Sequence, residues 1–381
     1  MPSRLVNELS PFHVMEVLEK AKELESRGID VIHFEIGEPD TPTNIQICEA
    51  AIDSIRAGNT RYSESMGIPI LKNAIAEEYK KSYGVEISER RVGITMGSSP
   101  AIFLTLLSII EPGDEVIVIE PHYPCYPQLI RISGGIPVSC RVYEEDEYQI
   151  DIDRLRKKIS NRTRGIIVNS PSNPTGTIME PDILKSITEL GIYVISDEIY
   201  HGLEYGKKAH SILEYTDNAF VLNGFSKLYS MTGWRLGYCI LPEEFIRPVQ
   251  KLQQNLFISP NPFVQMAGVE AIKKVRHQVP DLVDLYNSRR LIMLEGLREM
   301  GFDLKTVPNG AFYVFLDISP LGRKSYDLAF DILEKVHLAV TPGIDFGVDM
   351  DGYMRLTYTN PEEVIREGLG RLAKYLELQT D

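Results

Sequence analysis

Short apolar, mostly β-branched runs alternate with longer amphipathic stretches through the middle of the chain. The runs occupy 91–96, 115–119, 165–169, 192–196, 219–222 and 236–241. Continuous apolar runs of this length, separated by helix-sized segments, mark strands buried on both faces. They predict an α/β region with a largely parallel sheet. Pro112-Gly113 and Gly134-Gly135 punctuate the pattern. Ahead of it, residues 10–27 place Phe12, Met15, Leu18, Ala21 and Leu24 near helical spacing, with Gly28 as the stop. Residues 29–36 read as a strand leading into the turn Gly37-Glu38-Pro39-Asp40. After about Glu270 the pattern changes to a charged helix over 281–300, strands at 312–317, 338–341 and 353–358, and a last helix over 361–378. The expected fold is α/β: a large domain over 41–280, its mostly parallel central sheet lying between helices, and a smaller α+β domain built from both termini, 1–40 and 281–381.

Composition narrows the functional classes. With 381 residues, 43% hydrophobic and 25% charged, the chain has a globular balance and more length than one small core organises. A net charge of −14 without a long Lys/Arg run argues against a nucleic-acid partner and fits a solubility role. The longest apolar stretch, 101–110, is broken by Thr105 and Ser108 and falls short of the ~20 residues that span a bilayer. Residues 1–10 carry Arg4 and Glu8 and no apolar signal-peptide core. Cys48, Cys125, Cys140 and Cys239 are scattered, with neither C-x-x-C nor metal spacing. The expectation is a reduced cytoplasmic protein without metal or membrane partner.

Four segments carry candidate chemistry. Lys227 and Arg235 lie among hydroxyls, aromatics and glycines just past the end of a buried run, the edge where open α/β sheets place ligands. A guanidinium suits bidentate capture of phosphate. Taken alone, a lysine such as Lys227 reads first as a solvated surface charge. Asp197, in Ser196-Asp197-Glu198-Ile199-Tyr200, ends another run and reads either as a ligand-edge carboxylate or as a helix N-cap. Residues 169–176, Asn-Ser-Pro-Ser-Asn-Pro-Thr-Gly, read as a proline-fixed turn that can present the Asn173 amide. Gly97-Ser98-Ser99-Pro100 opens a helix from Ala101, where free backbone N–H groups make either an anion site or a simple cap.

Taken in order, these segments resemble one family. Phe225-Ser226-Lys227 with the following Met-Thr-Gly-Trp-Arg is similar to the lysine motif of class I/II aminotransferases, which depend on pyridoxal 5′-phosphate (PLP). The likeness extends through Arg61-Tyr62, Pro121-His122-Tyr123-Pro124, Pro308-Asn309-Gly310-Ala311-Phe312-Tyr313 and Met354-Arg355-Leu356, covering nearly the whole chain. The resemblance implies that Lys227 joins PLP as a Schiff base and moves protons at the substrate Cα. It implies Asp197 on the pyridine nitrogen, with Asn173 and Tyr200 on the ring oxygen. Arg235, Ser226 and Gly97-Ser98-Ser99 match the phosphate clamp. Tyr123 matches the aromatic stacked on the ring, where many aspartate-preferring members have Trp. Tyr62 matches a tyrosine reaching the neighbouring subunit of a homodimer. Arg355, Gly37 and Asn173 match groups that bind the substrate.

The resemblance further implies an enzyme that moves an amino group from an α-amino acid to a 2-oxo acid by a ping-pong mechanism. Acid-selective members usually carry an additional basic residue near the site. Ser98-Ser99-Pro100 contains none, which with Tyr123 tilts the expectation toward neutral or aromatic donors over aspartate. Arg61 or Arg131 would reverse that if either pointed inward. A PLP-dependent C–S lyase of the same fold shares Lys227, Asp197 and Arg235, and so stays open. A non-enzymatic PLP-binding regulator fits poorly with the acidic charge. No G-x-G-x-x-G supports a nicotinamide enzyme, and no H-E-x-x-H supports a zinc site.

Overall fold

The computed structural model describes residues 2–379; Met1, Thr380 and Asp381, which close the expected smaller domain, lie outside the described residues. A seven-stranded sheet forms the centre, in the order Val92–Thr95, Gly237–Ile240, Ala219–Gly224, Tyr193–Asp197, Thr163–Asn169, Glu115–Glu120 and Ile136–Arg141. Gly237–Ile240 runs antiparallel to both its neighbours; the remaining pairs are parallel. Side chains alternate between two apolar layers. Ile117, Ile166, Val194 and Val221 enter one cluster, while Val118, Ile167, Ile195 and Phe220 enter the other. Helices cover both faces, which is why these strands read as unbroken apolar runs.

The sheet departs from expectation at its edge. Ile136–Arg141 is a strand that no apolar run announced, because an edge position leaves most of its residues half-buried or exposed. The strand expected over 29–36 shrinks to Ile32–His33, paired in parallel with Leu338–Ala339. Its continuation changes partners: Phe34 donates its N–H to Ala339 O at 2.9 Å, and its carbonyl accepts from Thr357 N at 2.9 Å. That carbonyl thus meets the antiparallel sheet Thr341–Pro342, Tyr353–Thr357 and Tyr313–Asp317. A separate apolar cluster joins these strands to the helices His13–Ser26, Val279–Glu299, Ser325–Val336 and Glu362–Glu377.

Two helices also differ in detail. His13–Ser26 buries Val14, Val17, Ala21 and Leu24, leaving Met15 43% exposed, so its core face is shifted from the expected Phe12-Met15-Leu18 stripe. Phe12 and Met15 instead face a large cavity, which demands apolar residues for a different reason. Ser98–Ile109 starts before Ala101, because Gly97 adopts a φ of 96° that turns the chain directly into the helix. Pro100 fits the first turn, where its missing N–H has no intrahelical partner to lose. Among the described residues no helix is long and apolar enough to cross a membrane.

The turn after Ile36 is clamped from the side. Arg289, on Val279–Glu299, donates Nη1 to Asp40 Oδ1 at 2.8 Å and Nη2 to Asp40 Oδ2 at 2.9 Å, and also bonds the Thr359 carbonyl. The guanidinium is buried while Asp40 reaches solvent, so removing it leaves the buried Thr359 carbonyl unpaired and hands the carboxylate to water. Arg289→Ala should lower unfolding stability by about 2 kcal/mol, read as a shift of the urea midpoint at constant slope.

Candidate functional site

The strand ends converge on a cavity of about 460 Å³ at the C-terminal edge of the parallel strands. Tyr193–Asp197 ends at Asp197 and passes into a turn, which excludes the N-cap reading. Lys227 follows Ala219–Gly224, Asn169 ends Thr163–Asn169, and Ser98 opens its helix after Val92–Thr95. Gly37, Tyr123, Asn173, Tyr200, Ser226, Arg235 and Arg355 line the same space.

At one end the polarity suits an anion. The first turn of Ser98–Ile109 has no side-chain cap, so its N–H groups and hydroxyls are open to a ligand. Arg235 stands over Gly97, where a Cβ would collide with the guanidinium. No carboxylate among the described residues pairs with Arg235; its Nη1 donates only to Thr232 O, at 3.2 Å. Ser226 lies buried alongside. The 225–235 loop is braced by polar contacts: Thr41 Oγ1 meets Ser230 Oγ at 2.8 Å, and Trp234 donates to Thr43 at 2.9 Å.

Asp197 lies deeper. Tyr126 donates its hydroxyl to Asp197 Oδ2 at 2.7 Å, and Ile199 N–H to Oδ1 at 3.2 Å. Burial pushes the Asp197 carboxyl up to about 6, against those two donors and nearby Lys227. The group therefore remains a carboxylate at neutral pH, and its natural complement is a cationic N–H.

Lys227 is a buried-site amine without a carboxylate in direct contact among the described residues. Its Nζ donates to Gly37 O at 2.6 Å. Burial first, then the positive field of Arg355 and Arg235, pulls the amine from 10.5 down to about 8, while Glu38 and Asp197 oppose the shift. The shift raises the unprotonated fraction at pH 7 more than a hundredfold, to roughly a tenth, which makes this lysine a better nucleophile than an ordinary one. Gly37 cannot be larger, because a Cβ there would overlap the Tyr313 hydroxyl.

Arg355 crosses from the antiparallel sheet into the cavity. Nη1 donates to Asn173 Oδ1 at 2.9 Å, and Nη2 to Glu35 O at 2.5 Å and Thr341 Oγ1 at 3.1 Å. Its guanidinium carbon lies 4.4 Å from the Tyr313 ring centre and 5.1 Å from that of Phe346. Nε is buried without a partner. Tyr313 also shares a 2.8 Å hydrogen bond with Tyr200, whose hydroxyl burial pushes well above its ordinary range.

Tyr62 does not join this set: it is 81% exposed and outside the cavity. Arg61 is exposed as well, and Arg131 lines a separate groove beyond Phe12 and Tyr123. Sequence reasoning missed the contacts of Tyr126, Tyr313 and Asn169. Tyr126 had a usable signal, standing three positions after Tyr123 at the start of a helix.

Residues 29–372 match the family described as aminotransferase class I and II. A curated (5-formylfuran-3-yl)methyl phosphate transaminase from Methanocaldococcus jannaschii is 40% identical over 380 residues, with 99% of each chain covered. An aspartate/prephenate aminotransferase from Thermus thermophilus is 36% identical over 383 residues, covering 98% of each. A solved Methanococcus jannaschii structure, described as similar in its active site to kynurenine aminotransferases, superposes with a TM-score of 0.92 at 40% identity. It covers 99% of this chain and 100% of that one.

In enzyme stripped of PLP, a water-soluble aldehyde should modify Lys227 at a rate that climbs with pH and bends near 8, because only the unprotonated amine attacks. Borohydride trapping and peptide mass spectrometry read it. A rate that instead follows ordinary lysines near 10.5 contradicts the buried-amine account.

Proposed function

The chain belongs to the class I and II aminotransferases and is a PLP-dependent aminotransferase, and from that premise we propose that it moves an amino group from a neutral or aromatic α-amino acid to a 2-oxo acid by a ping-pong mechanism. The observation that carries the donor preference is the cavity wall. Phe12, Met15, Ile36, Tyr123 and Tyr313 line it, and among the described residues around it the only cations are Lys227, Arg235 and Arg355. Each of the three is committed to another task, so within one subunit none is left to pair with a side-chain carboxylate. A kynurenine-like active site in one solved relative's description supports a ring-bearing donor.

The residues fit PLP by their chemistry. The open amides of Ser98–Ile109, Ser226 and the unpaired Arg235 suit a phosphate. The buried Asp197 carboxylate suits a protonated ring nitrogen, and Tyr123 supplies an aromatic face. Asn173 and Tyr200 supply the donors for the ring oxygen. When bound, PLP supplies an electron-withdrawing ring that makes the substrate Cα proton removable.

Arg355 receives the substrate α-carboxylate, with its geometry held by Asn173, Glu35 and Thr341. Gly37 allows the closest backbone approach beside it. Lys227 Nζ takes the proton from the substrate Cα and returns it nearby, a role supported by an amine near 8. Asp197 holds the ring-nitrogen proton, and Tyr126 orients that carboxylate. In this reading 41–280 is the cofactor domain, and 1–40 with 281–381 the smaller one. It works as a cytoplasmic homodimer, the exposed Tyr62 reaching the neighbouring site.

A panel of donors with 2-oxoglutarate should place phenylalanine or tyrosine above aspartate in kcat/KM; a clear aspartate preference overturns the donor reading. With donor alone, oxo-acid release should stop near one equivalent per subunit, whereas continuing release of pyruvate from cysteine would instead indicate a lyase. Arg355→Ala should reduce kcat/KM about a hundredfold through loss of charge-assisted hydrogen bonds to the carboxylate, and Lys227→Ala should abolish turnover.

A further inference from the structure

The helix His13–Ser26 begins without a cap of its own. Phe12 stands at its N-cap position and offers no side-chain acceptor. A residue far along the chain fills that role: Asp345 Oδ1 accepts from His13 N at 2.9 Å, and Oδ2 from Val14 N at 2.8 Å. Both carboxylate oxygens therefore hold the first helical amides, the end where a negative charge is favoured.

This contact controls more than a helix end. Phe12, Val14 and Met15 line the substrate cavity on the side facing Tyr123, and the Phe12 ring meets Tyr123 edge-on at 6.4 Å between centres. Upstream support is slight. Arg4–Glu8 buries no residue, and the Ser10 amide makes one long bond, 3.4 Å, to Gln128. Asp345, in contrast, is only 7% exposed and stands on the rigid turn Gly343–Phe346. At Gly343 a Cβ would strike the backbone of Met350 and Tyr353, so that turn is seated firmly. The next residue, Phe346, packs against Arg355. One short turn thus touches the carboxylate-binding arginine with one side chain and the apolar wall with the other.

We propose that Asp345 is a positioning residue that fixes the apolar wall of Phe12, Val14 and Met15 against the substrate and so sets the preference for large apolar donors. The inference rests on the aminotransferase reading of the cavity and deepens it. Without the cap, the first turn of the helix frays and the wall retreats, which costs a bulky side chain contact that a methyl group never makes.

The test uses the holoenzyme with Asp345→Ala and Asp345→Asn. Asp345→Ala should raise KM for phenylalanine about tenfold, while kcat/KM for alanine falls no more than about threefold. Amide exchange in the peptide spanning His13 and Val14 should accelerate about tenfold in that variant. Asp345→Asn keeps one acceptor oxygen and should lie between the two in both readouts. If Asp345→Ala leaves the phenylalanine KM and the exchange rate at wild-type values, the proposal fails. It fails equally if phenylalanine and alanine lose kcat/KM by the same factor. A wild-type enzyme that prefers aspartate defeats the donor reading instead, while the exchange comparison still decides whether Asp345 caps the helix.

Discussion

The buried guanidinium of Arg355 is the join on which the site depends. It leaves the antiparallel sheet, reaches Asn173 on the loop after a central strand, and is held from behind by the Glu35 carbonyl and Thr341. A cation in so little water is tolerated only because every bond is to an oriented acceptor and two aromatic faces lie beside it. The contact ties the position of the small sheet to the strand ends that carry Asp197 and Lys227. It also leaves an Nε buried without a partner among the described residues.

Burial does the remaining work, and with opposite sign on the two key groups. It pulls the Lys227 amine down to about 8 and pushes the Asp197 carboxyl up to about 6. Among the described residues neither has an opposite charge in direct contact. The lysine spends its proton-donor capacity on the Gly37 carbonyl, and the carboxylate takes hydrogen bonds from Tyr126 and Ile199. Groups kept unpaired in this way are costly to the fold and ready for a ligand. The surrounding loops carry that cost through bracing contacts such as Thr41 with Ser230 and Arg289 with Asp40.

Much of this was readable in the chain, and the failures have physical causes. Strands buried on both faces announced themselves as apolar runs, so six of the central strands were visible, while the half-exposed edge strand Ile136–Arg141 was not. The stretch at 29–36 carried strand composition, but its hydrogen bonds are divided between two sheets. The helix His13–Ser26 was found with Ala21 and Leu24 rightly inward but the start of its core face misplaced, since residues facing a ligand cavity and residues facing the core are equally apolar.

The sequence by itself determined the fold class, the family and the identity of the chemical groups at the strand ends, because those follow from local periodicity and ordered motifs. It named Lys227, Asp197, Arg235 and Arg355. Only the tertiary structure decided how they are tuned. Hydrogen-bond partners such as Tyr126 for Asp197, Tyr313 for Tyr200 and Asp345 for His13 lie 71, 113 and 332 positions away. No local pattern encodes such a distance. The depth of burial that shifts Lys227 and Asp197 in opposite directions exists only once both sheets have closed around them.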